Sequence, residues 1–511
     1  MEKRLLLALA LSLLVVLGWS GLMSKLHPNA QQEVRVEKAV PSPAFKPSLP
    51  ETSAAVREAS AEEDTTFENV AFGNEEIVFA LPSASIKELV FKDYLGHKFL
   101  LRQGFLLKDT SLKFKVEKLG LEPTFTYKDP DKEIIKRFIL NKSNHTIELE
   151  IITKNLSQNA IDIIYPLVLG MIELSADQAQ SSFQEAILAQ GEKIQRLNLK
   201  RNFSSQENLK FMALKERYFC LVVQPALPGG RTFINKITGK TVEVGLEYPV
   251  KVLPGQEQRL NFSIYLGPVK LETLNSINPE WAAIVNYGTF DSISKLLLKL
   301  LGFFQKMVHN WGVAIILLSL AIYLILFPLT LKQMHSMKRM QELQPKIEKI
   351  RQIYKDNPQK LNMEIMDLYK KEKANPFSGC LPMVLQIPIF FALYQSLMRS
   401  VELKGATFLW IKDLSEPDRL FMLEQALPLI GKEINILPLL MAIMMFLQQK
   451  FSAMPATGSQ QEQQRIMMIL FPIIFGFIFY HIPSGLVLYW FINTLLMSVY
   501  QIKIKFAKTS P

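Results

Sequence analysis

The apolar run at residues 375–398 is long enough to cross a membrane, yet it contains Pro382, Pro388, Gln386 and Gln395. A proline removes a backbone hydrogen bond and a buried amide must be desolvated, so a helix that only anchors a chain in lipid has no use for them. Such groups are tolerated where neighbouring helices or a wet cavity receive them. The run therefore predicts a membrane protein with a polar interior surface.

The composition supports this interpretation and narrows the choice of partners. The chain has 511 residues, of which 49% are hydrophobic, and a formal net charge of +11. A charge of that size could indicate nucleic acid, but the basic residues flank apolar runs instead of alternating with stacking aromatics. Lysine and arginine beside membrane spans are what the positive-inside rule predicts. We therefore expect a lipid bilayer as a partner and no specific nucleic-acid sequence.

Cysteine and histidine give no indication of redox or metal chemistry. Cys220 and Cys380 lie in different regions without a CxxC spacing, and the six histidines are scattered at no spacing that metal ligands use. Ser292 and Lys295 match the short SxxK pattern, but the partner motifs of serine acylases are missing. The sequence therefore predicts no cofactor, no metal and no enzyme.

The N-terminal sequence predicts a transmembrane anchor followed by a linker. Residues 5–23 form an apolar run after Lys3 and Arg4 that is long for a signal peptide and has no clear cleavage site after it. We interpret residues 1–23 as an uncleaved anchor whose N-terminus lies in the cytoplasm. Residues 24–66 are rich in Pro, Ala, Ser and Glu, a composition typical of a flexible linker.

Residues 67–268 consist of short runs rich in β-branched and aromatic residues, separated by Gly, Pro, Asn and Asp. Many short strands with turn signals between them predict an all-β, sandwich-like domain. No reactive constellation of side chains stands out in this region. We therefore expect this domain to be dispensable for the main activity.

The remaining sequence predicts a helical membrane core. Residues 269–308 connect it to the β-domain, and apolar residues recur at helical spacing among lysines over residues 290–306. This pattern predicts an amphipathic helix on the membrane surface. Five further spans are predicted within residues 309–505, at about 309–329, 379–398, 434–451, 466–482 and 485–502. Several of them are near the lower length limit for crossing a bilayer.

A charged stretch at residues 332–373 sets the orientation of these spans. It has 11 basic and 6 acidic residues, and the net charge of +5 places it in the cytoplasm. Both termini are then cytoplasmic and the β-domain lies outside. Apolar residues recur every three to four positions on both sides of Asp356-Asn357-Pro358, which predicts an antiparallel helical hairpin. The hairpin is either a solvated connector or a contact platform for what is delivered to the membrane.

Motifs in order along this core resemble those of the YidC/Oxa/Alb family of membrane insertases. They are Leu343-Gln344-Pro345-Lys346-Ile347, Asn375-Pro376 with Gly379-Cys380, Gln386-Ile387-Pro388-Ile389-Phe390, and Pro483-Ser484-Gly485-Leu486-Val487-Leu488-Tyr489-Trp490. The match covers residues 300–505. The anchor and the β-domain are similar to the Gram-negative bacterial branch, in which that domain is periplasmic and of β-supersandwich type.

The resemblance implies a membrane protein insertase and chaperone of the inner membrane. In that family a hydrophilic groove, open to the cytoplasm and to lipid, takes the polar parts of a nascent membrane protein while its apolar segment enters the bilayer. The resemblance also implies that the protein acts alone or with the Sec translocon and uses no nucleotide. Contact with the ribosome would go through the cytoplasmic hairpin and the basic tail at Lys503, Lys505 and Lys508.

One departure from the family pattern shapes the predicted groove. Bacterial members usually carry an arginine in the second span, shortly before Pro328-Leu329-Thr330, and Tyr323 stands at its place here. Counting ~1.5 Å per helical residue puts several polar residues of different spans in the cytoplasmic half of the bilayer and Arg399 at the outer interface, as an anchor. We predict a neutral groove lined by Ser319, Tyr323, Gln386, Gln448, Tyr489, Trp490 and Asn493.

Three alternatives stay open from the sequence. A secondary transporter or channel also has Pro-interrupted spans, although these spans contain almost no acidic residues to couple ions. The β-domain could instead be a carbohydrate- or protein-binding module with the membrane part as its anchor, but five polar spans would then be superfluous. The groove residues could also serve only as hydrogen bonds between helices.

Overall fold

The computed structural model describes residues 64–507, except positions 65, 110, 177, 207, 228, 356, 373–380, 428–430 and 453–458. The predicted N-terminal anchor and nearly all of the predicted linker lie outside the described residues. Within them the predicted fold class is confirmed, because a large β-sandwich domain is followed by a helical C-terminal part.

Eighteen of the described strands build the β-domain. They are β1 Thr66–Phe72, β2 Glu75–Leu81, β3 Ser85–Phe91, β4 His97–Gly104, β5 Leu106–Leu107, β6 Lys115–Lys118, β7 Thr124–Lys128, β8 Lys132–Asn141, β9 Thr146–Asn155, β10 Ile161–Glu173, β11 Glu185–Gln190, β12 Lys193–Asn198, β13 Phe203–Ser205, β14 Leu209–Lys215, β15 Phe219–Pro225, β16 Arg231–Lys236, β17 Thr241–Val252 and β18 Glu257–Pro268. Neighbouring strands pair antiparallel, as in β8 and β9, where Phe138 lies opposite Leu149.

These strands form three sheets that share a large apolar core. Their orders are β1-β2-β3-β4, β13-β16-β17-β10-β5 and β12-β11-β14-β15-β18-β9-β8-β7-β6. Strand β8 shows why the sequence folds this way, since alternate residues such as Ile134 and Phe138 are buried while Ile139 is exposed. The ring of Phe138 lies 5.1 Å from that of Phe79 in the four-stranded sheet. The core is therefore shared between sheets and makes the domain a compact unit.

A lysine on the buried face of β8 has a structural role. Lys136 is fully buried, and its ammonium donates to the carbonyl of Ala84 and, at 2.7 Å, to that of Phe105. Both carbonyl residues have a positive φ, of 51° and 61°. Burial lowers the pKa of Lys136 to about 7. Because its N–H groups hold two tight turns, we interpret Lys136 as a structural hydrogen-bond donor.

Nine α-helices lie in the described part of the chain. They are α1 Gln178–Ser181, α2 Leu271–Ile277, α3 Asp291–Val308, α4 Trp311–Ile353, α5 Pro358–Lys371, α6 Leu381–Arg399, α7 Ile436–Ser452, α8 Ser459–Phe479 and α9 Ser484–Ala507. Strands β19 Phe421–Leu427 and β20 Gly431–Ile434 pair as a separate hairpin between α6 and α7. Helix α9 packs against α7 and α4, and α3 packs against α4 and α6.

The first predicted span of the core continues into the predicted helical hairpin. The sequence pattern indicated a span ending near residue 329 and a hairpin from residue 332, whereas α4 is one helix of 43 residues with Pro328 and Pro345 inside it. Its buried Leu343 and Ile347 pack against Ile365, Leu368 and Tyr369 of α5. The periodic apolar residues therefore pair the C-terminal part of α4 with α5. The predicted span and the first arm of the predicted hairpin belong to this one continuous helix.

The lengths of the helices agree with the expectation of short spans. Among the described residues, Trp311–Lys332 and Ser484–Lys503 are long and apolar enough to cross a membrane, judged by length and composition. Ile436–Phe451 and Arg465–Phe479 are apolar but shorter. Helices of that length can cross a bilayer only where it thins locally or where flanking residues reach the interface.

The turn between β14 and β15 joins the β-domain to the helical part. Arg217 in this turn donates from Nε to the carbonyl of Met398 at 2.7 Å and from Nη2 to the carbonyl of Ser415 at 3.3 Å. Val401, just after α6, is fully buried in the apolar core of the β-domain. The β-domain is thus packed on the end of α6, a contact that the sequence pattern did not indicate.

We expect Arg217→Ala to lower the free energy of unfolding by about 2 to 4 kcal/mol, because two carbonyls lose a charged donor. Thermal unfolding of the purified protein measures the change. Arg259→Ala is the matched control, since the Arg259 guanidinium is exposed and pairs with Glu257 at 2.7 Å on the surface of the β-domain. Equal losses of stability in the two variants would contradict the docking role of Arg217.

Candidate functional site

Two of the predicted groove residues meet between helices α6 and α9. The Nε2 of Gln386 donates to the Tyr489 hydroxyl oxygen at 2.8 Å. Tyr489 is fully buried, whereas the Gln386 side chain is half-buried. The amide therefore lies at the edge of the helical core, with one hydrogen bond made and part of its surface still accessible.

Asn493 lies one helical turn after Tyr489 and completes this polar set. Its Nδ2 donates to the carbonyl of Tyr489 at 3.1 Å, and its side chain also interacts with the Tyr489 hydroxyl. Gln386, Tyr489 and Asn493 are thus the groove residues that the structure brings together. All three are neutral, so the site offers donors and acceptors without a fixed charge.

Ser319 and Tyr323, both on α4, make different contacts. Ser319 is fully buried and donates to the carbonyl of Ile315 in its own helix at 2.8 Å. The ring of Tyr323 lies 5.8 Å from that of Phe327. The Tyr323 hydroxyl oxygen is buried and has no hydrogen-bond partner among the described residues. The Tyr323 hydroxyl is therefore the one of the two that no described residue satisfies, whereas the Ser319 hydroxyl is satisfied within its own helix.

Gln448 and Trp490 also lie apart from the three-residue set. The Nε2 of Gln448 donates to the Sδ of Met497 at 3.1 Å, which joins α7 to α9. Trp490 belongs to an aromatic cluster in which its ring centroid lies 5.0, 5.9 and 5.3 Å from those of Phe390, Phe475 and Phe479. The polar set and this aromatic cluster are adjacent, because Tyr489 and Trp490 are consecutive residues.

The sequence reasoning did not single out Phe475 and Phe479 of this cluster and named Phe390 only as part of a family motif. A signal for them exists, since Phe471, Phe475 and Phe479 recur every four residues and so share one face of α8. Periodicity alone does not distinguish a face that contacts lipid from one that packs on another helix. The contact with Trp490 comes only from the packing of α8 beside α6 and α9.

Arg399 occupies the last position of α6, where the sequence analysis expected an anchor at the outer interface. Its Nη1 donates to the carbonyl of Asn286 at 2.9 Å, and its guanidinium lies 5.5 Å from the ring centroid of Phe183 in the β-domain. The partners of this arginine are therefore protein groups. It holds the end of α6 to the segment that follows the β-domain.

No group of three or more metal-binding side chains is found among the residues that the structure describes. The Cys220 thiol is buried in the β-domain, and burial raises its pKa to about 12. A thiol in that environment stays protonated at neutral pH. The described residues thus provide hydrogen bonding and apolar contact, and the polar set between α6 and α9 is the best candidate site.

Comparison with known families assigns both parts of the chain. Residues 303–510 match the family model described as 60Kd inner membrane protein, and residues 89–300 match the one described as YidC periplasmic domain. Each match falls on one of the two architectural parts, the helical part and the β-domain.

Individual relatives that align with more than half of the chain carry the name of this family. "Membrane protein insertase YidC" of Syntrophobacter fumaroxidans is 36% identical over 390 residues, which are 74% of this chain and 69% of the relative. The protein of that name from Francisella tularensis subsp. novicida is 38% identical over 287 residues, or 56% of this chain and 49% of the relative. A solved structure described as an active YidC insertase aligns with a TM-score of 0.40 and 20% identity, over 85% of this chain and 92% of the other.

Proposed function

The chain belongs to the YidC family of membrane protein insertases, and we propose that polar parts of its substrates pass along the half-buried amides of Gln386 and Asn493, which the buried Tyr489 supports from behind. It is a non-enzymatic insertase of the inner membrane with a periplasmic domain, and its substrates are nascent membrane proteins. The path through the protein and the choice of further partners are proposals, argued below.

The observation that carries the proposed path is the hydrogen bond between Gln386 and Tyr489, with Asn493 beside it. When a polar segment enters lipid, it loses its hydrogen bonds with water, and each backbone group left without a partner costs several kcal/mol as an order of magnitude. Neutral amides and hydroxyls between α6 and α9 can replace part of it. Because they carry no charge, they accept acidic, basic and neutral segments alike.

The aromatic cluster around Trp490 supplies the apolar counterpart of this path. A segment that leaves the polar set meets the rings of Phe390, Phe475 and Phe479 next. Apolar side chains of the substrate gain contact area there before they are fully surrounded by lipid. The proposed groove extends onto α4 at the Tyr323 hydroxyl, which has no hydrogen-bond partner among the described residues, and onto α7 at the half-buried amide of Gln448.

We infer the orientation of the protein from its charge distribution. The net charge of +5 on residues 332–373 supports a cytoplasmic position for the pair formed by α5 and the end of α4. Both termini then lie in the cytoplasm. The exposed lysines and arginines of this hairpin support contact with the ribosome, whose RNA is negatively charged. Cooperation with the Sec translocon is proposed on the family resemblance alone.

Reconstitution tests the proposed function directly. We expect purified full-length protein, in vesicles of phosphatidylethanolamine and phosphatidylglycerol without Sec components, to insert a small single- or double-spanning membrane protein. Protection of the substrate from added protease measures insertion, and protein-free vesicles give the spontaneous background. Solute flux through the vesicles without insertion would instead support a transporter or channel.

A further inference from the structure

The hairpin of β19 and β20 carries large apolar side chains that no described residue covers. Phe421, Met422 and Leu427 are 60%, 64% and 45% exposed. An isolated two-stranded hairpin is only marginally stable in water, and strands with exposed apolar residues invite unwanted pairing. A hairpin of this composition therefore calls for an apolar environment outside the chain's own core.

The base of the hairpin is fixed to the beginning of α7. Asp418 accepts, with Oδ2, hydrogen bonds from the backbone N–H groups of Ile436 and Leu437, both at 2.9 Å. Asn435 donates from Nδ2 to the carbonyl of Tyr480 at 2.8 Å, just after α8. These bonds tie the strands to the ends of two helices. The hairpin consequently stays at the level where α7 begins.

The same end of the helices faces the β-domain. Arg217 of the β-domain bonds the carbonyls of Met398 and Ser415, which belong to the end of α6 and to the loop that leads to β19. Because the β-domain matches a periplasmic domain, the hairpin is on the periplasmic side of the membrane.

We propose that strands β19 and β20 lie in the periplasmic leaflet, at the boundary of headgroups and acyl chains, with Phe421, Met422 and Leu427 in contact with lipid. This inference rests on the proposed function only in that α7 crosses the membrane. The two strands thus form an interfacial membrane element beside the periplasmic ends of α7 and α8.

Continuity with the outer face of α7 argues for lipid as the occupant. Leu439, Leu440 and Ile443 on the first turns of α7 are 48%, 36% and 56% exposed, so the helix that directly follows the hairpin exposes apolar side chains as well. That helical face has acyl chains as its solvent when α7 spans the bilayer. Arg419 pairs with Glu433 at 2.8 Å, so these two charges at the base of the hairpin compensate each other.

Spin labels measure the depth of the hairpin. In full-length protein with Cys220→Ala and Cys380→Ala, single cysteines are introduced by Met422→Cys and Leu427→Cys, labelled, and reconstituted in phosphatidylethanolamine–phosphatidylglycerol vesicles. We expect high collision rates with oxygen and low rates with a water-soluble nickel complex. Leu227→Cys is the matched control, because Leu227 is 48% exposed on the β-domain, and there the nickel complex should dominate.

Other outcomes identify other occupants and overturn the proposal. Nickel accessibility at residues 422 and 427 equal to that at residue 227 would place the hairpin in water. Protection from both reagents with spin–spin broadening would indicate a second copy of the chain. Insertion measured in the same vesicles separates the two hypotheses, since water-exposed labels in an active insertase refute only the position of the hairpin.

Discussion

Changing Gln386 and Asn493 together to leucine is expected to slow substrate insertion about tenfold or more while the fold stays intact. A tenfold slower rate corresponds to about 1.4 kcal/mol of barrier. That is less than the cost of one polar backbone group left without a partner in lipid, which is several kcal/mol as an order of magnitude. Loss of both amides removes the accessible donors and acceptors beside Tyr489, so an effect of this size is reasonable.

The expected loss of stability in the same double variant is small. Hydrogen bonds between membrane helices contribute about 0.6 kcal/mol on average and about 1.7 kcal/mol at most. The bond from Gln386 to Tyr489 is the contact between helices that disappears, because Asn493 bonds the backbone of its own helix. Protease protection of substrate in proteoliposomes and thermal unfolding in detergent give the two quantities separately.

Gln395→Leu is the matched control for this experiment. Gln395 is an amide on the same helix, nine positions nearer the end that contacts the β-domain, and its side chain lies beside Gly288. Insertion by this variant should remain near that of the unchanged protein. If the double variant unfolds before insertion fails, the amides act only as contacts between helices. If Arg399→Ala abolishes insertion and the double variant inserts normally, a displaced positive charge drives insertion and the neutral groove is wrong.

The second large effect is expected for Leu297→Asp combined with Leu301→Asp in α3. Both leucines are buried, at 8% and 1% exposure, in the apolar cluster of the helical part. Ser294 on the same face donates to the carbonyl of Ala392 in α6 at 2.9 Å. Truncating a buried leucine costs about 2 to 5 kcal/mol, and burying a carboxylate without a partner costs more. We expect the helical part to lose its packed structure, and insertion with it.

Leu296→Asp is the matched control, since Leu296 is adjacent in sequence but 65% exposed. It should leave the unfolding midpoint nearly unchanged and weaken only contacts with lipid. Thermal unfolding and insertion are measured for both variants. Equal effects of the buried and the exposed substitutions would show that α3 is held by the membrane surface alone, as its amphipathic pattern first suggested.

For α3, the sequence pattern predicts the helix but not what its apolar face contacts. Its apolar residues predicted an amphipathic helix on the membrane, and α3 is indeed a helix from Asp291 to Val308. The pattern does not say whether an apolar face contacts lipid or protein, because lipid tails and the apolar side chains of other helices are equally apolar. The structure assigns Leu297 and Leu301 to protein and leaves Leu296, Phe303 and Met307 exposed.

The sequence by itself determined the two-part architecture, the all-β domain, the positions of most helices and, through its motifs, the family. These features depend on local periodicity, on composition and on short motifs, which are all readable along the chain. Tertiary structure alone decided which polar groups meet. Gln386 reaches Tyr489 over 103 positions, and Arg217 reaches Met398 over 181. Such pairs depend on how helices and sheets pack in three dimensions, and no local pattern records that packing.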